Sequence, residues 1–217
     1  AHELRTPLAI LRSHLEAVQD GVTEPTPTVV SSLHDETLRL GRQVADLETM
    51  TSADGVAFTL RPQVLDLSEV VTPVASDLEH RFQEQHLRLI LDLQPAIVSG
   101  DETRLRQVVT NLLTNALKFV PPGGTVTVST GITQDWAVLE VRDDGPGIPP
   151  DEIGRVFDRF YRGSQFRTGG SGIGLAVVAT LARAHGGDVT ATSTSPHGTC
   201  FRVRIPSLDD GRPKPHS

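Results

Sequence analysis

The chain has 217 residues, of which 37% are hydrophobic and 22% are charged, the composition of a soluble globular protein of one or two domains. A net charge of -7 argues against a general binder of nucleic acids or anionic membranes, because such proteins carry basic patches. The single cysteine, Cys200, excludes a disulfide framework and a cysteine-based metal site.

The first 52 residues contain two series of apolar positions, each with alternating steps of three and four, which predict helices that pack as in coiled coils. The first series is Ala1, Leu4, Leu8, Leu11, Leu15 and Val18, and the second is Val30, Leu33, Thr37, Leu40, Val44 and Leu47. Turn-forming residues at 20–28 separate them. We expect an antiparallel hairpin over 1–52 that pairs with a second copy into a four-helix bundle. The alternative is a monomer whose hairpin packs on its own second domain.

After a predicted linker at 53–63, the pattern changes to mixed helices and strands. Helices are predicted at 67–87, at 101–119 with Asp101 as the N-cap, and at about 172–185. Strands are predicted within 58–67 and at 88–93, 125–132, 136–143, 188–194 and 199–206. The expected fold is α+β, an α/β sandwich with a mostly antiparallel sheet over 64–207, followed by a disordered tail at 208–217.

Three separated motifs of this second domain point to a nucleotide site. In "NLLTNALKF" (111–119), Asn111 and Asn115 lie on one helix face, and Lys118 follows within a turn. Amide oxygens and a lysine suit Mg²⁺ that already carries phosphate oxygens. Two surface asparagines with ordinary hydrogen bonds are the plainer interpretation of this motif alone.

The second motif is "DDGPGI" (143–148), directly after a predicted strand. The carboxylate of Asp143 can accept a hydrogen bond from an exocyclic amine, which would favour adenine over guanine. Gly145 and Gly147 lack side chains where a ligand must approach the backbone. A simple turn explains this pattern equally well when it is taken by itself.

The third motif is "GGSGIGLAV" (169–177), a glycine-rich loop that opens a helix and presents backbone N–H groups to phosphates. It lacks the spacing of the dinucleotide-binding fingerprint, and the chain has no P-loop motif. Between the second and third motifs, "FDRFYRGSQFRTGG" (157–170) offers aromatic residues that could clip onto the body of the domain. Its arginines, Arg159, Arg162 and Arg167, could reach phosphates, so we expect a lid.

These motifs, in this order, resemble the catalytic core of bacterial sensor histidine kinases, and the resemblance covers residues 1 to about 206. The motifs "NLLTNALKF", "DDGPGI", "FDRFYR" and "GGSGIGLAV" look like the family's N, G1, F and G2 boxes. "HELRTPL" at the start looks like its H box. The resemblance implies ATP and Mg²⁺ as cofactors, a homodimer through 1–52, and a response regulator with a receiver domain as the partner.

The resemblance also implies a role for each matching residue. His2 is expected to accept the phosphoryl group, Glu3 to act as its acid–base partner, and Thr6 to serve in dephosphorylation of the response regulator. Asn115 is expected to hold Mg²⁺. The expected nucleotide-binding set is Asn111, Asn115, Lys118, Phe119, Asp143, Gly145, Gly147, Ile148, Phe160, Arg162, Arg167, Gly170, Gly172, Gly174 and Leu175.

The position of His2 agrees with this role. It follows the apolar-series residue Ala1, so it is predicted to point away from the bundle, where a nucleophile must be exposed. A neutral imidazole is the majority form at pH 7, given a reference pKa of about 6.5. Because the chain starts without methionine inside a helical pattern, we also expect that segments upstream of it have been removed. The resemblance implies that this chain is the cytoplasmic part of a parent protein in the cell membrane.

Four alternatives stay open at this stage. A gyrase- or chaperone-like ATPase is disfavoured, because Asn111 stands where those enzymes have a glutamate that activates water. A serine kinase of the anti-sigma type would not need the hairpin with His2. A regulator that binds ATP only as a ligand and acts as a phosphatase through Thr6 has every residue it requires. A purely structural dimerisation module leaves the glycine motifs unexplained. Outside the motifs, His185 is interpreted as a helix-end residue and Cys200 as a buried small hydrophobe.

Overall fold

The computed structural model describes residues 12–26, 28–30, 32–33, 37, 60–163, 172–193, 198–209 and 212–213. The chain divides into two compact units, Ala1–Ala57 and Phe58–Ser217, with the division inside the predicted linker. Within the described residues, we find no helix whose length and apolar character would allow it to cross a membrane.

The described part of the first unit is helical on both sides of a turn. Residues 12–19 form a helix, and the turn that follows it contains Gly21, whose φ of 72° is accessible to glycine at little cost. The second helix includes residues 28–30, and the Thr26 hydroxyl accepts a hydrogen bond from the backbone N–H of Val29. The turn residues at 20–28 therefore separate two helices, as predicted.

The second unit is built on a five-stranded mixed sheet. Its elements are β1 (Gln63–Asp66), α1 (Leu67–Glu84), β2 (Arg88–Leu93), β3 (Ile97–Gly100), α2 (Glu102–Phe119), β4 (Thr125–Thr133), β5 (Trp136–Asp143), α3 (Gly174–Ala184), β6 (Asp188–Ser193), β7 (Thr199–Pro206), β8 (Leu208–Asp209) and β9 (Arg212–Pro213). The sheet order is β2-β4-β5-β7-β6, with β2 and β4 parallel and the other pairs antiparallel. The predicted α+β sandwich is confirmed.

One face of this sheet carries the core. In β5, Ala137, Leu139 and Val141 are buried, whereas the alternating residues are not, as expected for a sheet covered on one side. The buried faces of α2 and α3 supply Leu112, Leu113 and Leu181, among others. This packing fixes α2 beside the end of β5, where the candidate site lies.

Two details differ from the sequence prediction. Strand β3 was not predicted; it pairs with β1 in a separate two-stranded sheet, and its four residues are too few for a periodic signal. The disordered tail was predicted to start at residue 208, which is too early, because Leu208 is buried and β8 pairs with β9. Leu208 follows directly on Ser207, which is itself buried and bridges to Val98, so the chain stays against the domain there.

His185 joins the end of α3 to the start of α2. As predicted it ends its helix, but it also makes a hydrogen bond that the sequence did not indicate. Its Nε2 accepts from the backbone N–H of Asp101 at 3.0 Å, and its Nδ1 lies 2.8 Å from the carbonyl oxygen of Leu181. This pair of partners requires the neutral ring with the proton on Nδ1. Burial lowers the pKa of His185, although the Leu181 carbonyl and Asp101 oppose the shift.

The lowered pKa predicts that acidification destabilises the second unit. In the unfolded chain His185 is protonated near pH 6.5, whereas in the folded unit it is protonated only at a lower pH. The contribution of His185 to the free energy of unfolding is therefore complete above pH 6.5 and decreases below it. As the pH falls from about 6.5 to 5.5, His185 should lower the free energy of unfolding by up to about 1 kcal/mol. We expect this decrease to be absent in His185→Gln. Urea titrations followed by the fluorescence of Trp136, the only tryptophan, measure this unit alone. The exposed His80 provides the control: if His80→Gln changes the pH dependence as much, burial of His185 is not the cause.

Candidate functional site

Helix α2 is the central element of the site. Asp101 caps its start by accepting a hydrogen bond from the backbone N–H of Arg104. One face of α2 is buried in the core and fixes the helix in place. Asn111 and Asn115 lie one turn apart on the half-buried part of its surface. Two of the other motifs approach this helix at Asn111 and at its C-terminal end.

The glycine-rich motif meets α2 at Asn111. The amide Nδ2 of Asn111 donates to the carbonyl oxygen of Gly174 at 3.3 Å, and a Cβ at Gly174 would lie 3.7 Å from the Asn111 Cγ. Asn111 thus holds the first turn of α3 against α2. The residue at the N-cap of α3, Ile173, makes no side-chain capping bond, and Leu175 is half-buried in the first turn. The backbone N–H groups of that turn suit an anion.

Lys118 and Arg162 bring two positive charges together. Partial desolvation lowers the pKa of Lys118, and repulsion from Arg162 lowers it further. The Lys118 Nζ lies 4.5 Å from the centre of the Phe119 ring, which is half-buried at the end of α2. Two like charges that are close enough to repel each other favour binding of a multiply charged anion such as a polyphosphate.

Asp143 ends β5 with its carboxylate in a partly desolvated setting. Its Oδ1 accepts from the backbone N–H of Gly145 at 3.0 Å, and the carboxylate also accepts from the backbone N–H of Thr199. Burial raises the pKa of Asp143, the two backbone hydrogen bonds partly reverse the shift, and Asp144 adds to it. The side chain is therefore an oriented acceptor that has lost part of its hydration, as recognition of an amine requires.

The glycines around Asp143 leave room for close contacts. A Cβ at Gly145 would lie 2.8 Å from the Asp143 Oδ1 and 3.5 Å from a methyl group of Val120, at the end of α2. Gly147 has a φ of 72°, in the left-handed region. The backbone N–H of Ile148 donates to the Ser193 hydroxyl at 2.7 Å, and that hydroxyl donates to the carbonyl of Gly198.

Sequence reasoning missed Ser193, Gly198 and Thr199. A Cβ at Gly198, whose φ is 99°, would lie 2.1 Å from the carbonyl oxygen of Asp143. Thr199 pairs with Asp143 in the β5–β7 ladder and donates its backbone N–H to that side chain. A glycine just before a predicted strand was the available signal, but only the strand order places it beside Asp143.

The aromatic segment after β5 is held by a ring contact of Phe157 and by a backbone hydrogen bond of Phe160. The ring of Phe157 packs edge-on against Phe201 of β7, with ring centres 6.3 Å apart, so one aromatic residue clips onto the domain as predicted. Phe160 instead is 56% exposed and has a φ of 62°. Its backbone N–H donates to the carbonyl of Gly172 at 3.1 Å, where a Cβ on Gly172 would collide with the carbonyl of Tyr161.

The structure thus brings together around α2 most of the nucleotide-binding residues predicted in the second unit. Arg167 and Gly170 lie outside the described residues, as do the predicted catalytic residues His2, Glu3 and Thr6. Among the described residues there is no group of three or more His, Cys, Asp and Glu side chains that could hold a metal ion.

Comparison with known proteins gives two family matches. Residues 100–209 match the family described as histidine kinase-, DNA gyrase B- and HSP90-like ATPases, and residues 1–55 match the His kinase A (phospho-acceptor) domain. The signal transduction histidine-protein kinase BaeS of Escherichia coli is 38% identical over 95% of this chain, and the sensor histidine kinase WalK of Bacillus subtilis is 35% identical over 97%. This chain spans 45% of the length of BaeS and 36% of that of WalK.

The fold also matches a solved structure. The histidine kinase AdeS of Acinetobacter baumannii superposes with a TM-score of 0.78 at 29% identity, over 96% of this chain and 99% of that one. The match includes both the helical unit and the mixed-sheet unit.

Proposed function

The chain belongs to the sensor histidine kinases of bacterial two-component systems, and we propose that it binds ATP with Mg²⁺ in its second unit and transfers the γ-phosphoryl group to His2. The observation that carries the proposal is the meeting of three motifs at α2. Gly174 contacts Asn111, the charge of Arg162 acts on Lys118, and Gly145 approaches Val120.

The residues present fit a nucleotide. The ionised Asp143 offers its acceptor to the adenine amine, and the Phe119 ring lies near the same end of α2. Lys118, Arg162 and the uncapped first turn of α3 supply positive potential for the phosphates. Asn115 would hold Mg²⁺ through its amide oxygen, and Mg²⁺ would neutralise charge that develops on the phosphate oxygens.

The proposed transfer is a direct displacement. An unprotonated ring nitrogen of His2 bonds to the γ-phosphorus as the bond to the bridging oxygen breaks, and ADP leaves. Glu3 accepts the proton from the other ring nitrogen, which keeps the phosphorylated imidazole neutral. Charge neutralisation and positioning supply most of the catalysis in reactions of this class.

The partners belong to the same proposal. We expect the phosphoryl group to pass to an aspartate of a response-regulator receiver domain, and Thr6 to serve in the reverse, phosphatase direction. A homodimer through 1–52 is supported by the exposure of the apolar-series residues Leu15 and Val30, which are 49% and 54% exposed in the single chain. Attachment of the longer parent protein to the cell membrane follows from the resemblance alone.

Intact-mass spectrometry at neutral pH, after incubation with Mg²⁺ and ATP, tests the proposed function. We expect a gain of one phosphoryl group that is lost in acid, as a phosphorus–nitrogen bond requires. ATP binding without any such gain would contradict kinase activity of the chain and favour the nucleotide-sensing or phosphatase alternative.

Replacing Asn115 by alanine tests the Mg²⁺ site. Mg²⁺ should tighten ATP binding to the unmodified chain, and Asn115→Ala should remove about ten-fold of that tightening, because one ligand of the metal is lost. Calorimetric titrations with and without Mg²⁺ measure both values. Thr114→Ser, on the adjacent position of α2, should retain the full Mg²⁺ effect. Equal tightening in Asn115→Ala would place the metal elsewhere.

A further inference from the structure

Glu152 contacts the residues on both sides of Arg162. It lies at the start of a single 3-10 turn (Ile153–Arg155) and is only 9% exposed, and a glutamate is rarely so buried unless its carboxylate is paired. Its carboxylate shares a hydrogen bond with the hydroxyl of Tyr161. On the other side of Arg162, a Cβ on Gly163 would lie 2.7 Å from the Glu152 Oε2, so this carboxylate packs directly against the Gly163 backbone.

The Tyr161 ring has a second restraint. The guanidinium carbon of Arg155 lies 4.7 Å from the ring centre, and Arg155 is itself within 3.8 Å of the Asp158 carboxylate. Arg155 and Glu152 belong to the same short turn, which is held by a hydrogen bond between them. The ring face and the hydroxyl of Tyr161 are therefore both fixed by one structural element.

The preceding backbone is also fixed. Phe160 adopts its left-handed conformation with its N–H bonded to Gly172, and Gly172 lies so close that a Cβ would be 2.7 Å from the Tyr161 carbonyl oxygen. The residues before and after Arg162 are thus both held in place. An arginine side chain loses less conformational entropy on binding when its backbone is already ordered.

Arg162 lies between these contacts of Glu152, and its charge is near enough to Lys118 at the end of α2 for the two to repel. We propose that Glu152 is a positioning residue, which fixes Tyr161 and Gly163 and thereby directs the guanidinium of Arg162 to the β- and γ-phosphates of the nucleotide. Neither Glu152 nor Tyr161 touches the nucleotide in this arrangement. The proposal rests on the proposed function, because it requires that ATP binds at α2.

The ratio of the affinities for ATP and AMP distinguishes an effect of Glu152 on the position of Arg162 from an effect on the stability of the whole unit. AMP keeps the adenine and lacks the β- and γ-phosphates, so only contacts with those phosphates change the ratio. We expect Glu152→Ala to lower it about five-fold, and Tyr161→Phe to lower it in the same direction. Glu152→Gln keeps an acceptor oxygen for Tyr161 and should retain most of the ratio. The exposed neighbour Asp151 provides the matched control, Asp151→Asn, which should leave the ratio unchanged.

A double-mutant cycle identifies the residue through which Glu152 acts. If Glu152 works through Arg162, the variant with both Glu152→Ala and Arg162→Ala should have the ATP-to-AMP ratio of Arg162→Ala alone. Additive losses, or an equal loss of affinity for ATP and AMP, would overturn the proposal. If Trp136 fluorescence shows that Glu152→Ala does not fold, the same double-mutant cycle is carried out with Tyr161→Phe in its place. An unmodified chain without preference for ATP over AMP would overturn the proposed function itself.

Discussion

Replacing His2 by alanine should abolish ATP-dependent phosphorylation of the chain and leave its affinity for ATP unchanged. The nucleophile of the proposed transfer is a ring nitrogen of His2, and no group in alanine can replace it. The proposed nucleotide contacts belong to α2, β5 and α3 of the second unit, which the substitution does not touch. Intact-mass spectrometry gives the phosphoryl content, and calorimetry with Mg²⁺ and ATP gives the affinity.

His14 is a matched control for this experiment. It lies in the same predicted helix as His2 and is exposed, but it occupies no motif position. His14→Ala should be phosphorylated as fast as the unmodified chain. Glu3→Gln should retain His2 phosphorylation at a rate reduced about 10²-fold or more, as expected for loss of a general base. An acid-labile phosphoryl group that persists in His2→Ala would assign the acceptor to another residue.

The sequence predicted the second unit well where a single segment contains its own signal. The alternation of "TVTVSTGI" and "WAVLEVRD" predicted β4 and β5 within a residue of their ends, because each strand has one buried face. Asp101 predicted the start of α2, since its side chain caps the helix locally. Such features depend on neighbours in the chain, and the chain itself is sufficient to indicate them.

Contacts between distant segments were not predictable in the same way. The neutral ring of His185 accepts from Asp101, 84 residues away, and its sequence context "HGGDV" indicates only a helix end. The Ser193 hydroxyl contacts Ile148, and Glu152 contacts Tyr161, without any periodic or spacing pattern that marks them. Residue types with weak positional preference gain a role only when the order of strands brings them together.

The site itself was predictable to an intermediate degree. The resemblance places Asn111 in the nucleotide-binding set, and the structure shows a contact that the sequence did not indicate, from its amide to the Gly174 carbonyl at the start of α3. The motifs named Lys118 and Arg162 separately, and only the fold shows that their charges act on each other. A motif identifies residues that share a site, but their division of labour depends on interatomic distances.

Substituting Asp143 by asparagine should weaken ATP binding by about 10- to 100-fold, the effect expected for loss of a hydrogen bond to a charged acceptor in a partly dehydrated site. Because the carboxylate is proposed to read the adenine amine, the loss should reduce the preference for ATP over GTP. Asp144→Asn is the matched control, since Asp144 is exposed and caps Thr125 instead. Asp143 also accepts hydrogen bonds from Gly145 and Thr199, so Trp136 fluorescence is used to check that Asp143→Asn is folded.

The raised pKa of Asp143 adds a pH dependence with a defined sign. Burial, the largest cause, favours the protonated carboxyl, so protonation begins at a higher pH than for an ordinary aspartate. The ionised form binds the amine, and the ratio of the affinities for ATP and GTP should therefore decrease as the pH falls toward that pKa. Taking the ratio cancels protonation of the phosphates, which both nucleotides share. Asp143→Asn should show a low ratio that does not change with pH; a falling ratio in that variant would assign the titration to another group.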